Sequence, residues 1–312
     1  MAAGWFHSVL LRSDGCAVVF GRDDSGGKPC EVFTPPPGLR YVAAAAGLYH
    51  TVLLQSDGWV VAKGGNSVGQ CNVPALPKGV QYCAIAASEF HTVLLRTDGE
   101  VVAFGGNFHG QCDVPSLMPG LHYSGVAAGV SHTVLLRSDG QAIAFGHKGG
   151  GRCDVPLLPV YETYISAAAG GVHTVLKRSD GEVFVLGDSG QGPCVVPQLP
   201  PELAYEEIDA GGSHVVLLRS DGQAFGIGSN EAGQCDIRNI ENGPRCVGIA
   251  AGYRHTLLIR EDGSVESLGW NLDGQCRIPA LPDEVQYVPA ESSRPDFCAS
   301  WGTPGLLAIA AW

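Results

Sequence analysis

The sequence predicts an all-β protein, a closed seven-bladed β-propeller with four short antiparallel strands in each blade. Three observations support this fold. One repeat of about 41 residues occurs seven times, each repeat alternates strand and turn patterns, and the two chain ends complete one another. Repeats of this length are typical of architectures in which each unit forms one sheet and buries its apolar faces against its neighbours.

The repeat is defined by a histidine, an Asp-Gly pair and a cysteine that keep a common spacing. Residues 127–140, AAGVSHTVLLRSDG, show it most clearly. Successive histidines are separated by 43 residues once and by 41 residues five times. We number the predicted blades one to seven in the order of these histidines, which are His7, His50, His91, His132, His173, His214 and His255.

Each repeat carries patterns for four strands. The segment HTVLLRSDG predicts a strand that ends in an Asp-Gly hairpin turn, and residues 100–106, EVVAFGG, predict the returning strand. The CDVP segment that follows predicts a short outer strand, because proline suits a sheet edge. The residues that lead into the next AAG segment supply the remaining strand. A β-solenoid is the alternative fold, but it would need shorter coils and no closure.

The chain ends predict how the ring closes. Residues 285–290, VQYVPA, align with residues 80–85, VQYCAI, and residues 2–4 align with residues 86–88. The C-terminal segment therefore supplies strand material that the first repeat lacks, although Pro289 departs from the pattern. We expect a propeller over residues 1–290 and a C-terminal tail outside the repeats over residues 291–312.

Charge and composition exclude several classes of partner. The formal net charge of −12 argues against a surface that binds nucleic-acid phosphates or an anionic membrane. The N-terminal residues lack the basic and apolar regions of a signal peptide, and no apolar run reaches the roughly 18 residues of a membrane span. We therefore expect a cytoplasmic protein that binds neither nucleic acid nor membrane.

The residues that suggest chemistry all follow the repeat. A histidine present once in every blade is expected to serve the blade, by hydrogen-bonding a buried backbone group. The 11 cysteines include no Cys-x-x-Cys pair, so we expect reduced thiols and no zinc. Residues 65–69, GNSVG, match a nucleophile-elbow pattern but lie in a predicted hairpin turn. Since no cluster of unlike polar residues interrupts the repeat at the predicted channel, we expect no cofactor and no enzymatic activity.

The pattern AAGxxHTxxLxxDGxVxxxG…GQ resembles the regulator-of-chromosome-condensation repeat family over residues 2–290. The family's usual Gly-Gln-Leu-Gly is replaced by Gly-Gln-Cys, as in residues 110–112. The short repeat is also similar to the bacterial β-lactamase inhibitory propellers, whose units end in Gly-Gln…Val-Pro. The resemblance implies a propeller. It does not choose among the family's exchange factors, ubiquitin ligases, ultraviolet-B receptor and enzyme inhibitors.

The two residues before each histidine vary, and aromatic side chains there are confined to blades seven, one, two and three. The equivalent residues of blades four to six are small. Tyr, Trp and Arg dominate binding hot spots, so this rim is the predicted partner site, and the opposite rim is expected to be polar. The alternative is that these side chains pack between the blades. The predicted partner-binding residues are Trp5, Phe6, Tyr49, Phe90, Phe108, Tyr253 and Arg254.

The function predicted from these features is non-catalytic protein binding, as an interaction scaffold or regulator. The alternative is that the chain is the propeller portion of a HECT-type ubiquitin ligase or a guanine-nucleotide exchange factor. The identity of the protein partner and the oligomeric state stay open.

Overall fold

The computed structural model describes residues 1–22, 30–159, 161–188, 194–238 and 243–290, together with the backbone of Ile309–Ala310. Within these residues the chain forms β-strands and one short 3-10 turn, Gly149–Gly151, with no α-helix. No helix in this described part is long and apolar enough to cross a membrane. The all-β class predicted from the sequence is therefore confirmed.

The described strands form seven sheets, one for each repeat, and we call them blades one to seven. Each of blades two to seven contains three consecutive antiparallel strands, which we call first, second and third. In chain order they are β5 Tyr41–Ala46, β6 His50–Gln55 and β7 Val60–Gly64; β8 Tyr82–Ala87, β9 His91–Arg96 and β10 Val101–Gly105; β11 Tyr123–Ala128, β12 His132–Arg137 and β13 Ala142–Gly146; β14 Tyr164–Ala169, β15 His173–Arg178 and β16 Val183–Gly187; β17 Tyr205–Ala210, β18 His214–Arg219 and β19 Ala224–Gly228; β20 Cys246–Ala251, β21 His255–Arg260 and β22 Val265–Gly269.

Blade one is built from both ends of the sequence. It contains β1 Ala2–Ala3, β2 His7–Arg12, β3 Ala17–Gly21, β4 Cys30–Phe33 and β23 Tyr287–Val288. Strand β1 pairs with the first half of β2, and β23 pairs with its second half. The first strand of this blade is therefore divided between the two chain ends, which is the pairing that the sequence predicted.

The prediction of four strands in every blade was wrong. Only blade one has a regular outer strand, β4, among the described residues. In blade two the corresponding segment turns instead, because the Val73 N–H donates to the Cys71 carbonyl at 2.9 Å, and Pro74 has no N–H to offer a neighbouring strand. The segment is held by the Tyr82 hydroxyl, which donates to the Pro74 carbonyl at 2.9 Å.

The tail predicted over residues 291–312 lies outside the described residues except for β24, Ile309–Ala310. Its backbone pairs in parallel with β11 of blade four, at Val126 and Ala127.

The histidines form a belt that joins neighbouring blades. In blade two, His50 Nε2 lies 3.0 Å from Thr92 Oγ1 of blade three, and the Thr92 hydroxyl donates to the Gln70 carbonyl at 2.7 Å. A hydroxyl has one proton, so Thr92 must accept from the Nε2–H of His50. Burial lowers the pKa of His50 to about 3, so this imidazole is neutral.

The same contact recurs around the blades. It joins His7 to Thr51, His91 to Thr133, His132 to Thr174, His214 to Thr256 and His255 to Ser8. For these six histidines the expectation of a backbone partner was therefore wrong, because the hydroxyl of the next blade meets the imidazole. His173 is the exception: Val215 occupies the hydroxyl position, so within the described residues this imidazole meets the backbone of His214 instead of a hydroxyl.

Candidate functional site

One rim carries the variable residues on a constant backbone. The residue before each histidine accepts a hydrogen bond from the residue that follows the third strand. For example, the Arg22 N–H donates to the Phe6 carbonyl and the Trp270 N–H donates to the Arg254 carbonyl, both at 2.8 Å. Because these bonds bring the two turns of a blade together, the residues before the histidine and those after the third strand share one rim.

Aromatic side chains of three blades meet on this rim. Trp5 of blade one stacks on Tyr253 of blade seven, with ring centroids 3.8 Å apart and planes 7° from parallel. Phe6 stacks on Tyr49 of blade two at 5.4 Å, and its edge meets Trp5 at 6.2 Å. All four side chains are half-buried, so they pack on one another and still reach solvent. We call these four residues, together with Arg254, the aromatic strip.

Arg254 extends the strip in blade seven. Its guanidinium carbon lies 5.9 Å from the ring centroids of both Tyr253 and Trp270, a distance at which a cation is attracted to an aromatic face. Its ion pair with Glu231 is long, at 3.6 Å, and both side chains are exposed. Exposed pairs of this kind stabilise little, so the guanidinium is accessible to a partner.

Phe90 and Phe108, the predicted site residues of blade three, lie together but apart from the strip. A Cβ built on Gly106 would lie 3.0 Å from the Phe90 Cβ and 3.3 Å from the Phe108 Cε2. The Phe108 side chain is 75% exposed and Phe90 is half-buried. The structure thus brings five of the seven predicted residues into one strip and places the other two on the neighbouring blade.

A cleft of about 290 Å³ opens between blades one and two beside the strip. Tyr49 and Phe33 contribute aromatic walls, and Lys63 and Glu31 form an ion pair at its edge. The Lys63 ammonium also lies 4.9 Å from the Phe33 ring centroid. Phe33 belongs to β4, the outer strand that distinguishes blade one, so this cleft depends on a feature that the repeat does not predict.

The opposite rim is mainly polar, as expected. In blades one, three, four, five and six the arginine that ends the second strand forms an ion pair with the aspartate of the Asp-Gly turn. Trp59 of blade two is an apolar exception on this rim, with 58% of its surface exposed.

Two carboxylates missed by the sequence reasoning interrupt the repeat in blade six. Asp209 and Glu207 lie on β17, where the equivalent first-strand residues of blade two are Ala45 and Ala43. Comparing all first-strand residues position by position would have revealed them. The expectation that no cluster of unlike polar residues interrupts the repeat was therefore wrong for this strand.

Asp209 is almost fully buried and bonds to two strands. Its Oδ1 accepts from the Ala210 N–H and its Oδ2 from the Ala251 N–H of blade seven, both at 2.8 Å. Glu207 accepts from the Ile249 N–H at 3.0 Å. Burial raises the pKa of Asp209 to about 8, against the opposing effect of the two N–H donors. Within the described residues no three His, Cys, Asp or Glu side chains are grouped to hold a metal.

Seven radial sheets built from one repeat define a β-propeller. Residues 1–26, 82–111 and 206–234 match the family model of the regulator of chromosome condensation (RCC1) repeat. Three segments of the chain therefore match RCC1 repeats, and the resemblance drawn from the sequence is confirmed.

Several solved structures are similar to the chain. Prp20p from Saccharomyces cerevisiae shares 18% identity, with 92% of this chain and 87% of that one covered and a TM-score of 0.72. Human WBSCR16 shares 18% identity over 83% of this chain and 86% of that one, with a TM-score of 0.66. The ectodomain of the Arabidopsis thaliana receptor kinase ACR4 shares 18% identity over 88% and 99%, with a TM-score of 0.59. At these identities the likeness establishes the fold alone. No protein with a curated function matched the sequence.

Proposed function

We propose that the chain is a closed, non-catalytic β-propeller that binds a protein partner through the aromatic strip. The observation that carries this proposal is the continuous contact of Tyr253, Trp5, Phe6 and Tyr49 across three blades. Large, partly exposed aromatic rings beside an accessible guanidinium are the residue types that dominate protein-binding hot spots. Phe90 and Phe108 extend the same rim to blade three.

Contacts between the first and last blades support closure. Ser8 Oγ lies 2.9 Å from His255 Nε2, and the Tyr253 N–H donates to the Gly4 carbonyl at 3.1 Å. These contacts repeat the ones that join other neighbouring blades. A closed ring would hold Tyr253 and Trp5 in a fixed relation although they are far apart in sequence, and preorganised contacts lose less entropy on binding.

The test compares the two rims of the same protein. The double variant Trp5→Ala/Tyr253→Ala is compared with Asp139→Ala on the opposite rim, and circular dichroism confirms that both are folded. A photo-crosslinking amino acid replaces the exposed Phe108 in each background. We expect the crosslinked partner to disappear in the double variant and to persist with Asp139→Ala. Equal crosslinking in both would contradict the proposal.

A second candidate function is guanine-nucleotide exchange. It is favoured by the likeness to Prp20p, a protein described by its binding to Gsp1p and histones. The test is release of a fluorescent guanine nucleotide from a small GTPase captured by the chain. Accelerated release would favour exchange activity, whereas capture without release would favour simple binding.

A further inference from the structure

The turn that carries Tyr253 is held by backbone contacts from both neighbouring blades. On the blade-six side, the Gly212 N–H lies 3.2 Å from the carbonyls of both Gly252 and Tyr253. On the blade-one side, the Tyr253 N–H donates to the Gly4 carbonyl at 3.1 Å. The position of the Tyr253 ring therefore depends on how blade seven sits between its neighbours.

Asp209 adds a side-chain contact at the start of this turn. The Gly252 N–H points into blade seven, where it donates to the His255 carbonyl at 2.8 Å. Since N–H directions alternate along a strand, the Ala251 N–H points to the other edge of β20, and there it meets the Asp209 carboxylate at 2.8 Å. Ala251 is two residues before Tyr253, so this bond fixes the strand end from which Tyr253 reaches Trp5.

We propose that Asp209 is a positioning residue for the aromatic strip, holding the end of β20 so that Tyr253 stacks on Trp5. This assignment deepens the proposed function, because it names what controls the geometry of the same site. The equivalent residue of blade two is Ala45. The aspartate thus places a side-chain acceptor at the junction that leads to the stacked pair.

The bond also makes the stack sensitive to pH. Asp209 is 5% exposed, and the charged groups that face it are Glu207, which raises its pKa, and the amino group of Met1, which lowers it. An ionised carboxylate accepts both N–H bonds with full charge, whereas the protonated acid is a weaker acceptor. The hold on Ala251 therefore strengthens as the pH rises through the pKa of Asp209, which burial places at about 8.

The experiment observes the stack directly, without a partner. The full chain is labelled with 5-fluorotryptophan, the ¹⁹F resonance of Trp5 is assigned with Trp5→Phe, and it is followed from about pH 5.5 to 9.5. Gly212→Ala supplies the reference for a displaced stack, because a Cβ there would lie 2.5 Å from the Tyr253 ring. Asp209→Ala removes the carboxylate, and Glu206→Gln removes a neighbouring exposed one as the control.

We expect the Trp5 resonance of the wild type to titrate and that of Glu206→Gln to follow it. In Asp209→Ala the resonance should lose the titration of Asp209 near pH 8, keep only the changes caused by Glu207 and the Met1 amino group, and be displaced in the direction seen for Gly212→Ala. If Asp209→Ala does not fold, Asp209→Asn, which keeps one acceptor oxygen, should likewise lose the titration near pH 8 and show an intermediate displacement. A resonance in the Asp209 variant that coincides with the wild type at every pH would overturn the positioning role. Partner capture has no part in this readout, so loss of the proposed function would leave the result unaffected.

Discussion

The two halves of the variable rim share a backbone and differ in side chains. In blades four and six the Ser131 and Ser213 carbonyls accept from the turn after the third strand at 2.8 Å, as Phe6 does in blade one. Yet blades seven, one and two present stacked aromatic rings there, whereas blades four to six present small residues. The difference shows that the repeat maintains the rim through backbone bonds and the buried belt, which leaves the side chains before each histidine free to vary.

The largest expected loss of stability tests whether the histidine belt contributes equally to the blades of both halves of the variable rim. Replacing His50 or His132 by alanine removes a buried imidazole and leaves a hydroxyl without its donor, so each should cost about 3 kcal/mol of unfolding free energy. Urea unfolding followed by circular dichroism measures this. Losses that differ by more than about 1.5 kcal/mol would show that the two halves do not share one framework.

The unfolding free energy should depend on pH through the two carboxylates of blade six, Asp209 and Glu207. Asp209 ionises near pH 4 when unfolded but keeps its proton to about pH 8 when folded, because burial raises its pKa. Partial removal of the carboxylate from water also raises the pKa of Glu207 to about 7, although part of its side chain reaches solvent. The unfolded chain therefore binds fewer protons in this range, and stability falls as the pH rises from about 4 to about 8.

The measurement is the urea midpoint as a function of pH. Asp209→Ala should flatten the profile by at least about 1 kcal/mol across this range. Asp139→Ala, which changes an exposed turn carboxylate, should leave the slope as in the wild type. A profile unchanged by Asp209→Ala would show that this carboxylate does not titrate between pH 4 and 8 in the folded protein.

The belt has a gap that a single hydroxyl should fill. Val215→Thr restores the hydroxyl that the other six blades place beside the equivalent histidine, and one more buried hydrogen bond to His173 should add about 1 kcal/mol. Val216→Thr, at the next buried position of β18, is the control and should destabilise, since a hydroxyl there has no imidazole to meet. Thermal unfolding of the two variants gives opposite signs if the gap is real.

The smallest expected effect concerns an exposed member of the predicted site. Phe108→Ser should change stability by less than about 0.5 kcal/mol, because the side chain is 75% exposed. Phe20→Ala, at a phenylalanine of blade one that is 2% exposed, should cost about 3 to 5 kcal/mol. A large loss of stability for Phe108→Ser would assign this residue to the framework instead of to the partner site.

Periodicity was sufficient to predict the seven sheets, the division of blade one between the chain ends, and the rim that carries Trp5 and Tyr253. These features follow from the spacing of residues along the chain, which a repeat displays directly. The prediction of an outer strand in every blade was wrong for a local reason. The residues before Pro74 satisfy their N–H groups in a turn, and composition does not distinguish that turn from a strand.

The partner of each histidine and the role of Asp209 needed three-dimensional information. The hydroxyl of Thr92 is 42 residues from His50, and Ala251 is 42 residues from Asp209, so both contacts cross from one blade to the next. A repeat shows which residues are equivalent, but it does not show which equivalent residues touch. Arg22, which lies 5.9 Å from the Phe6 ring, was missed for the same reason.

The divided first strand of blade one also sets an order of assembly during synthesis. Residues 2–3 leave the ribosome before β23, which completes their strand and is available only after Val288 has been made. Blades two to seven contain strands that are contiguous in sequence and can form as they emerge. We therefore expect part of β2 to stay unpaired during synthesis until Val288 has been made, and an unpaired strand edge is a site where a nascent chain can misassemble.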